Sequence, residues 1–377
     1  MWLKAKSDLR ESDTMKAGKE TISSNRNGAI DFLRFAASFI LVLHHYQQVH
    51  NVFIDNGINF YSGHFYWGLL VDLFFVISGY FLLGSVTRIH DGDLKFKEYY
   101  LHRCVRLLPL VGVTAIIYFF VNNFVYFNVM GEYCKARSTG SELILSILGM
   151  QVGWANLDGS HLNPPMWYIS ALLIAFVVLY LIVSISGKLK KNYIIPVIGL
   201  ILISMAGELF ELNLPFFQGD ARRAYVDVSV GLLLAVILRK HEIKGLKYLI
   251  TIPLLIGGAA LYLVANNAQR QLFQQYALVF LFFPAIMILF TSETAKKIFS
   301  GKIWNLLGGA SFDTYVLHYL LLILERCANK HFGLGLNFGN WCIEYLTAII
   351  IFGFGILSYL FVSPKLKKAA EKAVSFL

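Results

Sequence analysis

Residues 30–46 read IDFLRFAASFILVLHHY, and the fold follows from how that stretch is read. Thirteen of its residues are apolar or small, as in part of a membrane span, yet it also carries Asp31, Arg34, His44 and His45. Arg34 and His45 are eleven residues apart. At about 100° per residue this is roughly 20° past three full turns, so the two share one helix face about 16 Å apart along the axis. His44 falls about 80° off that face, which favours His45 as the residue in line with Arg34. Ser38 and Leu41 complete the stripe, and Asp31 lies one turn before Arg34. An arginine at the centre of a helix in hydrocarbon costs about 2.5–3.5 kcal/mol on insertion scales, so it is kept where it has a partner or a task. The plain alternative makes Arg34 a cation reaching for the near interface and His45 an interfacial histidine. Their sharing one stripe favours a functional face.

Working outward, 57% of the 377 residues are hydrophobic and 15% charged, with a mean hydropathy of +0.60. A soluble domain is nearer a quarter charged, so most of this chain is expected to face lipid or other lipid-embedded helices. The formal charge of +10 would suggest nucleic acid if the basic residues clustered on a folded surface. They lie instead in loops between apolar runs, and no nucleic-acid partner is expected. Residues 1–27 read as a polar tail, 28–362 as one membrane domain and 363–377 as a basic tail.

Apolar runs of near-spanning length fall at about 29–49, 65–86, 107–127, 166–186, 193–210, 225–238, 248–265, 273–292, 304–325 and 342–362. The sixth is short, and the ninth opens on a turn weakened by Gly308 and Gly309. Segments on the N-terminal side hold 25 Lys and Arg against 7 opposite, which leaves Arg34 as the one cation placed inside a span. Lys and Arg accumulate on the cytoplasmic side. The expectation is an all-α polytopic integral membrane protein of about ten transmembrane helices with both termini cytoplasmic. Lys95–Arg106 (KFKEYYLHRCVR) is expected to run as a helix along the headgroup boundary, and Leu143 to Met150 to lie on the membrane surface.

Several residue groups could carry chemistry. In VDLFFVISGYFLLG, Asp72 is an intramembrane acid, and Gly79 lies seven residues on, where another backbone can come close; Ser78 and Gly79 alone would read as small-residue packing. Arg103 and Arg106 are three apart at the mouth of the third span and form an i, i+3 pair suited to phosphate, against the plain reading of topogenic charge. Trp167 and Tyr168 open the fourth span where an aromatic belt is expected. In SFDTYVLHYLLL, Ser311, Thr314 and His318 share a stripe, and His318 is well inside an apolar run. The four cysteines, Cys104, Cys134, Cys327 and Cys342, show no metal-ligand spacing. Cys327 and Cys342 flank one expected outer loop and either pair in an oxidising compartment or remain two thiols. Asp158, Ser160 and His161 hold the residue types of a serine triad, but neighbours in one turn cannot take up triad geometry.

In this order and on these spans, the segments resemble the acyltransferase-3 family of integral membrane O-acyltransferases. Arg34 and His45 match its arginine, ten residues, then histidine; Asp31 matches the acid that often precedes the arginine. VDLFFVISGY looks like its second-span motif, RCVR like its RxxR, and SFDTYVLHY like its late histidine segment. Leu70 stands where a glycine often precedes the Val-Asp pair, WYISALL lacks a glutamate many members carry, and VSPKL replaces a common Glu-Pro ending. The resemblance implies an acyl-CoA donor, usually acetyl-CoA, and an acceptor hydroxyl on a cell-envelope glycan or its lipid-linked precursor. A bacterial cytoplasmic membrane is the expected setting. On this reading Arg103, Arg106 and Arg34 hold phosphates of CoA, and His45 is the general base. Asp72 or His318 orients the imidazole or the acceptor, Asp31, Ser78, Gly79, Trp167 and Tyr168 support the site, and no metal is required. A covalent acyl-histidine remains an alternative to direct transfer. The rival class is a transporter or flippase without chemistry, which intramembrane Arg, Asp and His also suit, although no inverted repeat is visible.

Overall fold

The computed structural model describes residues 27–63, 65–131, 137–153, 162–240, 246–264 and 270–375. The polar tail up to residue 26, Cys134 and the Asp158–His161 segment lie outside them. The described residues are helices joined by loops and form no β strand; one isolated antiparallel bridge joins Leu214 and Phe217.

The opening stretch is a helix, α1 (Gly28–His50). The Asn27 side chain caps it by accepting from the Ala29 amide, and Asn51 ends it in the left-handed region at φ 52°. The second apolar run is broken into α2 (Leu70–Tyr80) and α3 (Leu83–His90), bent by 44° at the Phe81–Leu82 step. α4 (Phe96–Phe120) begins within the cationic, aromatic segment and continues through Pro109 into the third span. A short α5 (Gly140–Ile147) follows, closed by a capping box between Thr139 and Glu142. Then come α6 (Trp167–Lys188), α7 (Ile194–Leu209), α8 (Gly219–Lys240), α9 (Leu246–Val264), α10 (Arg270–Ala277), α11 (Phe283–Phe290) and α12 (Glu293–Ile298). The last three are α13 (Lys302–Phe332), α14 (Trp341–Leu357) and α15 (Ser363–Val374). π turns at Val121–Tyr126, Leu278–Phe282 and Ser358–Val362 let α4, α10 and α14 run on without a break.

Among the described residues six helices are long and apolar enough to cross a membrane, and the bent α2–α3 pair makes a seventh. The other three expected spans fall short for separate reasons. α7 and the apolar part of α9 are short. α8 has 22 residues but carries Asp220, Arg222, Arg223 and Asp227 in its first half. Charge counting places Arg222 and Arg223 in an outer loop; they lie instead in the opening turns of α8, where Arg222 pairs with Glu208 at 2.7 Å and Arg223 with Asp72 at 2.5 Å. Arg34 is therefore not the only cation taken into the bundle.

Gly308 and Gly309 do not weaken α13, which is continuous over 31 residues. A Cβ on Gly308 would run into the backbone and Cβ of Asp31, and one on Gly309 would meet the Tyr359 ring at 2.6 Å. The glycines are where α13 presses against α1 and the chain after α14. A reciprocal pair does the same for α2 and α8: a Cβ on Gly79 would strike the Val228 carbonyl, and one on Gly231 the Val76 carbonyl. With Asp72 against Arg223, this keeps one register along two helices running in the same direction. The expected C-terminal tail includes α15, which opens on Pro364 and lays Leu366 against the main apolar cluster. Facing outward are large apolar side chains such as Phe124, Leu202, Ile203 and Ile349, as lipid-facing helices require.

Candidate active site

The close approach of α1 and α13 brings His45 and His318 together, with ring centroids 5.0 Å apart and planes 37° apart. His318 is fully buried and donates Nδ1–H to the Tyr315 carbonyl at 2.6 Å, so its Nε2 is left with a lone pair and no partner. His45 is only partly buried. Its Nδ1–H donates to Gln48 Oε1 at 2.7 Å, one helical turn along, which makes Nε2 the basic nitrogen. His44 faces another way, as the helix phase requires. It is buried, donates Nδ1–H to the Phe60 carbonyl at 2.8 Å, and stands edge-on to Tyr61 and Tyr66.

From His318 a wall of aromatic rings leads along the bundle. Tyr315 lies 5.5 Å from His318, and Tyr168 lies 5.6 Å from Tyr315. The Tyr315 hydroxyl donates to the Pro165 carbonyl at 2.7 Å, and the Asn163 amide donates to the Val316 carbonyl at 3.3 Å. The Asn-Pro-Pro loop is thus fastened to α13 just before His318. Tyr168 has Ser78 beside its hydroxyl and feels the charges of both Arg34 and Arg106. Arg34 pairs with Asp31 at 3.4 Å, and its guanidinium lies 5.2 Å from the Phe81 ring, at the break between α2 and α3.

The two arginines of RCVR differ. Arg103 is stacked on Tyr99 at 3.7 Å and Phe176 at 4.7 Å, and it donates to the Tyr99 carbonyl at 3.0 Å and to Ser85 at 3.4 Å. Arg106 is exposed. Asp72 is fully buried and is taken up by Arg223, whose guanidinium lies 5.2 Å from the Trp167 ring. Ser311 and Thr314, on the stripe with His318, turn their hydroxyls back to the Gly308 and Ala310 carbonyls of their own helix.

Sequence reasoning missed Arg223 and Gln48. The signal for Arg223 was an acid inside the second span with no cation assigned to it, beside an Arg-Arg pair at the edge of a short apolar run. Nothing in the sequence singled out Gln48 except its place three residues after His45. Cys104 and Cys342 are free thiols, so no disulfide joins Cys342 to Cys327. Among the described residues no group of three or more His, Cys, Asp or Glu is placed to hold a metal ion.

A family model described as an acyltransferase domain, that of the acyltransferase-3 family, matches residues 27–363. The chain belongs to the acyltransferase-3 family. No curated protein and no solved structure matches it. The match spans α1 to the start of α15, so every acyltransferase-3 element described above, from Arg34 to His318, lies within it.

Proposed function

We propose that this protein is a membrane O-acyltransferase that moves an acyl group, most simply acetyl, from acyl-CoA to a hydroxyl of a cell-envelope glycan or its lipid-linked precursor. The observation that carries the reading is the His45–His318 pair in a chain of acyltransferase family. Its two imidazoles are packed together, each with Nδ1 spent on a fixed acceptor and Nε2 left basic.

His45, the more accessible of the two, takes the proton of the acceptor hydroxyl as general base. The acceptor oxygen then attacks the thioester carbonyl, a C–O bond forms, the C–S bond breaks, and the imidazolium returns the proton to the departing CoA thiolate. His318 orients the acceptor or the His45 ring from the side. Arg106, exposed and with Tyr168 in the field of its charge, and Arg34, beside the broken second span, hold the phosphates at the cytoplasmic mouth. Arg103 adds charge there while anchoring α4 to α6. The donor set suits an anionic, slender co-substrate: guanidinium groups at the opening, then tyrosines toward the histidines.

The test is to incubate membranes with labelled acetyl-CoA and ask whether an envelope fraction takes the label. Transfer that depends on His45 supports the reading. Absence of label from every fraction, with CoA never released, would defeat it.

A further inference from the structure

The geometry points to Arg223 as a further catalytic residue, the hydrogen-bond donor to the thioester carbonyl oxygen as it becomes an oxyanion. This rests on the acyltransferase reading above.

Among the described residues Arg223 donates Nε–H to Asp72 Oδ1 at 2.5 Å, and its Nη2 is buried with no partner. Burying a donor without an acceptor costs about 1–3 kcal/mol, more for a charged group, so an unspent guanidinium edge inside a bundle calls for an occupant. The edge is held in place. Asp72 fixes the inner side, the Trp167 ring lies 5.2 Å from the guanidinium carbon, and the Gly79–Gly231 contact locks α2 to α8 just beyond.

Its surroundings are those of the histidines. Tyr66 and Tyr315 both lie within the field of Arg223. Tyr66 packs on His44 at 5.1 Å, and Tyr315 on His318 at 5.5 Å. Trp167, under the guanidinium, is followed in the chain by Tyr168, which packs on Tyr315, and Tyr315 packs on His318, so one group of aromatic rings runs from the guanidinium to the imidazoles.

Charge decides which oxygen suits it. Asp72 is bonded to Arg223, Asp227 lies buried beside Asp72, and Asp220 is one turn before Arg223. With the Asp72 carboxylate bonded to Nε, Arg223 offers fixed N–H dipoles and a charge already largely balanced. That is a poor site for a phosphate, which is fully charged before reaction. It suits a carbonyl oxygen, neutral in the ground state and negative only in the tetrahedral transition state, where a preorganised donor acts. Arg34 and Arg106, away from this acidic group, are the better phosphate ligands. Asp72 then acts as a positioning residue, through Arg223.

The test uses full-length purified protein, acetyl-CoA as probe and CoA release as readout, with an envelope extract supplying the acceptor. The double variant Arg223→Gln/Asp72→Asn removes the buried ion pair as a unit, and Arg223→Lys keeps the charge but loses the fork. Both are expected to lower kcat by about 10²–10³-fold, the cost of one oxyanion donor, with KM for acetyl-CoA changed less than threefold. Either variant, folded as judged by its melting temperature and still turning over within threefold of wild type, would overturn the assignment. So would a loss expressed wholly in KM. Wild-type protein that releases no CoA refutes the acyltransferase reading itself, which separates the two failures.

Discussion

His45 on α1 and His318 on α13 lie with their ring centroids 5.0 Å apart, although 273 positions separate them in the chain. The contact exists because Gly308 lets α13 lie against the backbone of α1 at Asp31. In the proposed mechanism this pair takes up the proton of the acceptor hydroxyl. His45→Ala is expected to lower transfer by about 10²–10⁴-fold while leaving insertion and melting temperature intact. His44→Ala should instead cost about 1–3 kcal/mol of stability, because it leaves the Phe60 carbonyl without its donor, and cost less in kcat. Parallel melting curves and initial rates check the pair, and the reverse ranking would put the wrong histidine in the site.

Among the described residues Gln48 is the one hydrogen-bond partner of His45, at 2.7 Å. In the proposed mechanism this bond fixes which nitrogen carries the proton. Gln48→Leu should therefore lower kcat by about tenfold through loss of the correct tautomer, with KM for acyl-CoA little changed. Gln48→Glu, which still accepts from Nδ1–H, should recover much of the rate. If Leu and Glu behave alike, the acceptor does not set the tautomer.

How far the sequence was readable depends on which force acted. Helix phase follows from the local 3.6-residue repeat, so the spacing of Arg34 and His45 and the offset of His44 could be worked out in advance. The placement of His318 beside His45 is a tertiary fact; it could be suspected because a histidine deep in an apolar run is costly, but no local pattern supplies its partner. Arg223 shows the limit of charge counting. The rule that assigns Lys and Arg to loops describes unpaired cations, and it fails when an acid such as Asp72 on another helix takes the cation into the bundle. Gly308 was misread for a related reason. Its low helix propensity costs about 1 kcal/mol locally, and the close packing it permits outweighs that.

The two arginines of RCVR should separate by experiment. Arg103 is held between Tyr99 and Phe176 and hydrogen-bonded to the Tyr99 carbonyl, so Arg103→Ala removes an anchor between α4 and α6. Its expected signature is a lower melting temperature. Arg106 is exposed and Tyr168 lies in the field of its charge, so Arg106→Ala should raise KM for acyl-CoA by about tenfold with stability unchanged. Binding of CoA to detergent-solubilised protein, measured by calorimetry beside thermal melts, distinguishes them. Equal effects on affinity would return both residues to a shared role.

Glycine substitutions test whether close helix contact, more than polar bonding, builds the site. Gly308→Ala puts a methyl into the Asp31 backbone and must push α13 away from α1. Overpacking of this kind costs about 1–3 kcal/mol, and here the displaced neighbour is backbone, which cannot rotate aside. The variant should melt lower and also lose transfer, because His318 moves with α13. Gly353 offers the control: it is exposed on α14, and a Cβ there meets nothing within 4 Å. Gly353→Ala should leave transfer unchanged and stabilise the helix by about 0.5–1 kcal/mol. If Gly308→Ala melts and turns over like the wild type, the α1–α13 contact does not set the spacing of the two histidines, and the site must be held by its polar bonds alone.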